Sequence, residues 1–418
     1  MTLAELQTAL KEPGQCRRCR ESTVIPSHTW QGSLLLRCTR CDASEWIDLP
    51  KPHKKLVYLD NGVISNIASA RQRGESDDPY TALADVLQEA TAEQVVAVGH
   101  SPIARAEYEA RTDPGFHCSR EQDYRVGAVH LRHPLEIQDA QVLRSFTLSL
   151  DSGEVHPDLH INLEDAYRDD PHRWTDFVSI HLNWRTPAAW RADEAATIDE
   201  VHRGYLAVQQ AYVRDALTVD EVERIELTSY GRAIHEAGLR AATRIAHGLV
   251  DGDDLVGAFD TTYSTLVQTA FARTQNWGWA HAAVHRFLRS EAPAACTYAR
   301  LNARLLAHLL VGAPDRRLRR SDRNDVEQIA AYAPYFDVMV VDGFSAHLAG
   351  PASANINDIV LTRVISSGHD GIRTLIGMIE AWRTESPFGV VARRLHDIES
   401  ARLAAAIESM RSRLEDDP

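Results

Sequence analysis

Four of the six cysteines sit near the start of the chain, as CRRC (Cys16, Cys19) and CTRC (Cys38, Cys41). Two C-x2-C pairs separated by eighteen residues match the spacing of a four-thiolate zinc site. Each pair makes a tight knuckle that aims two thiolates at one ion, and two knuckles close the coordination shell. A closed shell leaves no position for water or substrate, so the zinc expected here is structural. A pair of disulfides or a rubredoxin-like iron are the competing uses of four cysteines, and a reducing compartment disfavours the first. Arg17, Arg18, Arg20, Arg37 and Arg40 crowd the knuckles, either to meet phosphates or to solvate a very small module. Cys118 and Cys296 stand alone and read as ordinary buried thiols.

The second set of reactive side chains is acidic. In KLVYLDNGVISNIA (Lys55 to Ala68), the apolar run Leu56–Leu59 reads as a buried strand and delivers Asp60 to its carboxyl end. Ligands bind at that edge of open parallel sheets, although an Asp before a helix is also an ordinary N-cap. Glu107 rides the helix that follows a second apolar strand, VVAVGH. Asp322 and Asp325 are spaced i, i+3 at a helix start and share a face. Asp342 ends the strand VMVV as Asp60 ends LVYL. Converging carboxylates repel one another unless divalent cations neutralise them. Such a pocket suits Mg²⁺ or Mn²⁺, and its characteristic chemistry is cleavage of phosphoryl or phosphodiester bonds. Just before the acidic helix, DRRLRRSDR places Arg316, Arg317, Arg319, Arg320 and Arg323 where a phosphate backbone would be gripped.

The elements that must hold these groups follow an α/β grammar. LVYLD, a helix through Ile64 and Ile67, the helix TALADVLQEATAE, the strand VVAVGH and a helix opened by Ser101 and Pro102 predict a parallel sheet flanked by helices. From about Thr112 to Leu318 the pattern is mostly helical, with LRSFTLSLD reading as a strand; SDRNDVEQIAAYAPYFDVMVVDGFSAHLA then restores helix and strand. The prolines and lysines of LPKPHKK mark a linker after the cysteine module. The expected organisation is a zinc-ribbon-like domain over 1–52, the first half of an α/β domain over 53–112, a helical insertion over 113–314, the second half over 315–350, and C-terminal helices over 351–418.

With 418 residues and a formal net charge of −14, the chain is acidic as a whole. Its overall field does not attract nucleic acid, so such a partner must be held by local basic patches or bound cations. Residues 1–55 run against the trend, with nine Lys/Arg against six Asp/Glu. No long uncharged apolar run and no basic-then-apolar leader occur, so no membrane partner and a cytoplasmic location are expected.

LVYLDNGVISNIA, VVAVGHSPIARAEYE and SDRNDVEQIAAYAPYFDVMVVDGFSAHLA together resemble a PIN-domain (PIN-like) nuclease. In this chain Asp60, Glu107, Asp325 and Asp342 match the four acidic positions of that family, with Asp322 a close competitor for Asp325. NDVEQIAAY, the turn at Tyr335 and FDVMVVD match its C-terminal helix, turn and strand. Val340 and Val341 stand where many members carry Thr/Ser and Asn. The resemblance implies hydrolysis of a phosphodiester by metal-activated water; RNA more than DNA is the expected substrate, and whether a regulatory protein partner inhibits or directs the activity is a question the residues leave open. It implies Asp60 as the central ligand, Glu107 and Asp325 completing the metal shell or orienting water, and Asp342 acting beside them.

Other classes fit less well. A haloacid-dehalogenase-type phosphatase needs Asp-x-Asp, and the second Asp position is Gly62. Neither a G-x-S-x-G elbow nor a P-loop occurs. His281 and His285 stand i, i+4 but lack the Glu of H-E-x-x-H, because Ala282 follows His281. The non-enzyme alternative is a nucleic-acid- or protein-binding module with an inactive site.

Overall fold

The computed structural model describes the chain apart from residues 1, 31, 105–127, 153–160, 175–187, 248–261, 314–315 and 416–418. The protein is mixed α/β with helices dominant, and it divides into two compact units. The first comprises Met1–His130, Asp169–Arg185 and Ser367–Pro418; the second comprises Leu131–Arg168 and Thr186–Ser366.

In the first unit, α1 (Leu3–Lys11) opens with a capping box in which the Thr2 hydroxyl accepts from Glu5 N–H and the Glu5 carboxylate accepts from Thr2 N–H. Four antiparallel strands follow in the order β1 (Gly14–Gln15), β2 (Ser22–Trp30), β3 (Ser33–Cys38) and β4 (Ser44–Asp48). Period-two alternation sorts their side chains. Leu34, Leu36 and Ile47 join a core with Leu6 and Leu10 of α1, Trp174, and Val391 and Leu395 of the helix Gly389–Glu415. Ile25, Arg37 and Trp46 lie exposed. A sheet this small cannot close its own core, and distant parts of the chain complete it.

LPKPHKK is pinned rather than loose. Trp174 Nε1 donates to the Pro50 carbonyl at 2.8 Å, Lys54 N–H donates to His172 Nδ1 at 3.2 Å, and Lys51 pairs with Asp170. Local composition marked a linker because the partners lie more than a hundred residues away.

Three parallel strands follow: β5 (Lys55–Leu59), β6 (Val96–His100) and β7 (Ala128–His130), with β6 in the middle. Leu56 to Leu59 are all buried, the continuous apolar run of a strand covered on both faces. α2 (Asn61–Arg73) ends at Gly74, whose φ of 69° is the left-handed C-cap conformation. α3 (Pro79–Ala92) starts from an Asp78 cap and packs on the helix His369–Glu385. Glu93, 4 % exposed in its side chain, receives a two-pronged contact from Arg383 at 2.8 and 2.7 Å.

The second unit is mainly helical: α4 (Pro134–Ser152), α5 (Leu163–Ala166), α6 (Ala188–Arg214), α7 (Val219–Ala246), α8 (Thr262–Thr274), α9 (Trp277–Leu288) and α10 (Thr297–Leu310). After them come α11 (Asp322–Tyr332), β8 (Val338–Val341), α12 (Gly343–Ala349) and β9 (Arg363–Ser366), with β8 and β9 parallel. LRSFTLSLD is not a strand; it lies within α4. Val142 and Phe146, four apart, turn into a core with Leu266, Val284 and Phe287, and helical spacing overrides the β-preference of the local run. Gly238 lets α7 approach α8, since a Cβ there would sit 2.4 Å from the Tyr263 ring. β9 is a strand of four residues within a stretch that sequence pattern reads as helical. Tyr335 is buried, accepts from Gln141 Nε2 at 2.9 Å, and tethers the turn before β8 to α4.

Candidate functional site

The two cysteine pairs occupy matching hairpins. In the first, Cys16 N–H donates to Glu21 O at 2.7 Å and Arg20 N–H to Cys16 O at 2.8 Å. In the second, Cys38 N–H donates to Ala43 O at 2.8 Å and Asp42 N–H to Cys38 O at 3.1 Å. The residue after each second cysteine takes the left-handed conformation, Arg20 at φ 63° and Asp42 at φ 54°, which turns the chain sharply enough to bring both thiols inward.

The four sulfurs lie within 4.8 Å of one another, with Cys16–Cys41 and Cys19–Cys38 at 3.6 Å. Zn–S bonds of about 2.3 Å in a tetrahedron require sulfurs about 3.8 Å apart, so the donor set fits a four-thiolate ion. Thr23 Oγ1 sits 3.0 Å from Cys38 Sγ. That contact holds the Cys38 thiol down at about 6, which favours the thiolate a metal needs. Thr23 is a supporting residue that spacing alone does not reveal. Among the described residues, this is the one group of three or more His, Cys, Asp or Glu whose donor atoms gather so closely. Cys296 is a buried thiol away from this centre, and Cys118 lies outside the described residues.

The same four-stranded sheet carries Trp46, 49 % exposed, with the His28 ring edge-on at 5.1 Å, and Ile25, 41 % exposed. Arg17, Arg37 and Arg40 pair on the surface with Glu45, Asp42 and Glu21. The alternation of SEWID was the sequence signal for Trp46.

Asp60 and Asp342 occupy the same local position in their own units. Each follows a parallel strand in extended conformation, at ψ 156° and 162°, and each caps the next helix. Asp60 Oδ2 accepts from Gly62 N–H at 3.4 Å. Asp342 Oδ1 accepts from Phe344 N–H at 2.7 Å and Ser345 N–H at 3.2 Å, and Oδ2 accepts from the Ser345 hydroxyl. Ser101 caps the segment after β6, its hydroxyl accepting from Ile103 and Ala104. Glu107 lies outside the described residues. His100 and His130 are register partners at the ends of β6 and β7, with rings 5.7 Å apart; the pattern of a three-residue strand gave no notice of the second.

In the second unit Asp322 holds the Arg316 guanidinium. Arg316 donates through both terminal nitrogens to Asp322, at 2.5 and 2.7 Å, and Arg319 N–H donates to Asp322 Oδ2 at 2.6 Å. The guanidinium lies 3.5 Å from the centre of the Phe344 ring. Asp322 first, then the charges of Asp342 and Asp325, raise the Arg316 pKa further above its ordinary value. Asp322, Asp325 and Asp342 therefore share the field of a single guanidinium, whereas the sequence pattern groups Arg316 with the phosphate contacts. Of the other arginines, Arg317 is exposed, Arg320 pairs with Asp199 at 3.0 Å, and Arg323 lies 3.7 Å from Glu327 and 5.1 Å from the Tyr205 ring centre.

His281 hydrogen-bonds Tyr263 at 3.1 Å, and His285 meets the His235 ring at 5.1 Å. Among the described residues no helix is long and apolar enough to cross a membrane. Set against protein-family models, curated proteins and solved structures, the chain matches none of them.

Proposed function

We propose that the chain is a divalent-metal-dependent phosphodiester hydrolase acting on nucleic acid, RNA in preference to DNA, with a structural zinc in its N-terminal ribbon. The observation that supports this reading is the placement of Asp342 at the carboxyl end of parallel β8, next in space to a helix, α11, whose first turn carries two more acids. Asp342, at the carboxyl end of parallel β8, shares the field of Arg316 with Asp325 and Asp322. The carboxyl edge of a parallel sheet is where ligands of such sheets bind.

Asp325 and Asp342 of the second unit would hold Mg²⁺ or Mn²⁺, because carboxylate oxygens suit a hard cation, and the resemblance to PIN-like nucleases gives the same role to Asp60 and Glu107. When bound, that ion supplies a water activated for attack on phosphorus and charge to meet the oxyanion. Asp322 serves differently. With both oxygens engaged, it holds Arg316 and the first turn of α11 in place. The exposed Trp46, beside the knuckle arginines, supports a nucleic-acid partner, since aromatic rings stack bases without regard to sequence.

One observation favours the second reading, a binding module without catalysis. Both Asp342 oxygens already serve the start of α12, which suffices to explain an aspartate there. Single-stranded RNA incubated with Mn²⁺ separates the two. The hydrolase cleaves it and stops with EDTA or with Asp60→Asn; the binding module retains RNA intact under every condition.

A further inference from the structure

The second unit contains a cavity of about 170 Å³ between α6 and the start of α11. His202 and Tyr205 line it from α6, Arg319 and Arg320 from the preceding loop, and Arg323 and Asn324 from the first turn of α11. Asp322 is the one acid in the lining, and its carboxylate already binds Arg316 and the Arg319 N–H. Arg320 has Asp199 at 3.0 Å, in an exposed pair that contributes little. Among the described residues the Arg319 side chain has no carboxylate partner. The Ser321 side chain makes no capping hydrogen bond at the start of α11, where the Asp322 and Asp325 N–H groups donate to the Arg319 and Ser321 carbonyls.

We propose that this cavity binds the terminal phosphate monoester of a single nucleic-acid strand, a role that rests on the hydrolase reading and specifies which substrates it takes. Three guanidiniums border one small space; Arg320 and Arg323 share theirs with Asp199 and Glu327, and Arg319 brings a charge with no carboxylate partner among the described residues. Guanidinium forks match phosphate oxygens in pairs. A monoester carries nearly twice the charge of an internal diester at neutral pH, and the cavity has room for one phosphate and part of its sugar rather than for a run of backbone. The acids Asp322 and Asp325 stand on the same first turn of α11 as Arg323 and Asn324. A strand anchored by its end would thus lie against the helix that carries the proposed chemistry.

The test uses the full-length, zinc-loaded protein without added divalent cation, so that nothing is cleaved. Binding of a short fluorescent oligoribonucleotide is measured with a phosphate or a hydroxyl at its open end, alongside inorganic phosphate as competitor. The phosphorylated strand binds about tenfold tighter than the hydroxyl strand, the gain of one charge-assisted fork. Arg319→Gln removes most of that preference with an unchanged melting temperature, because its side chain is exposed. Asp342→Asn keeps the preference, and because nothing is cleaved in this assay, a failure of end recognition is distinct from a failure of the hydrolase reading, which the Mn²⁺ cleavage assay tests. Equal affinity for both ends, an unchanged preference in Arg319→Gln, or inorganic phosphate binding as tightly as the phosphorylated strand would each overturn the proposal.

Discussion

Arg316 and Asp322 grip each other across six residues of sequence, Nη1 to Oδ2 at 2.5 Å and Nη2 to Oδ1 at 2.7 Å. The Asp322 side chain is only 4 % exposed and that of Arg316 21 %. The pair ties the arginine-rich loop to the first turn of α11, and Phe344 covers the guanidinium from α12. The loop and the two helices that carry or follow the acids are therefore joined through the Arg316 guanidinium.

Removing Asp322 takes two charge-assisted hydrogen bonds from a half-buried guanidinium. Asp322→Ala is expected to cost about 1.5–3 kcal/mol of stability, measured by urea unfolding. A loss below about 1 kcal/mol, the scale of an exposed pair, would show that Asp322 has no such structural role.

The four-cysteine module is predicted to bind one zinc per chain. Elemental analysis of the purified protein is expected to give one equivalent, and Cys41→Ser to lose it together with the near-ultraviolet signal of Trp46. Apparent zinc-binding energies of about 10–16 kcal/mol in small four-ligand modules explain why folding of the sheet would follow the metal. A full equivalent of zinc retained by Cys41→Ser would remove the four-thiolate assignment.

Lys54 gives a pH signature. It is 3 % exposed, and burial pulls its ammonium down to about 7, with the Arg173 charge adding to the effect and Asp170 opposing it. Its folded pKa therefore lies below the unfolded value of about 10.4. Between these limits the unfolded chain binds more protons, so stability rises with pH from about 7 to about 10. Lys54→Met should flatten that rise and raise the melting temperature at pH 7. A mutant that keeps the wild-type slope would assign the pH dependence elsewhere.

Asp342 separates capping from chemistry. Asp342→Ala loses the contacts to Phe344 and Ser345 and should cost about 1 kcal/mol, whereas Asp342→Asn retains a capping oxygen and should stay within a few tenths. Thermal unfolding of both variants checks this, and equal destabilisation would mean that the carboxylate charge, not the cap, holds α12.

Features carried by a few adjacent residues were legible in the sequence. Lys55–Leu59, Val96–His100 and Val338–Val341 are strands as their apolar runs suggested, and Cys16, Cys19, Cys38 and Cys41 cluster as their spacing required. Ser101 also caps the segment after its strand, as its position before Pro102 suggested. What escaped depends on distant partners. The segment at Pro50–Lys54 is fixed by Trp174 and His172, and Leu34 is covered by residues near 391–395. Arg316 looked like its arginine neighbours until the turn of the chain set Asp322 against it. β9, with four residues, is too short to show a period.

The most direct measurement is cleavage of a labelled single-stranded RNA with Mn²⁺ by the wild type, Asp325→Asn and Asp342→Asn, with melting temperatures recorded alongside. Metal-dependent cleavage by the wild type, and a loss of about 100-fold or more in both variants at unchanged melting temperature, is the predicted result. No metal-dependent cleavage by the wild type, or equal rates in all three proteins, would contradict the account.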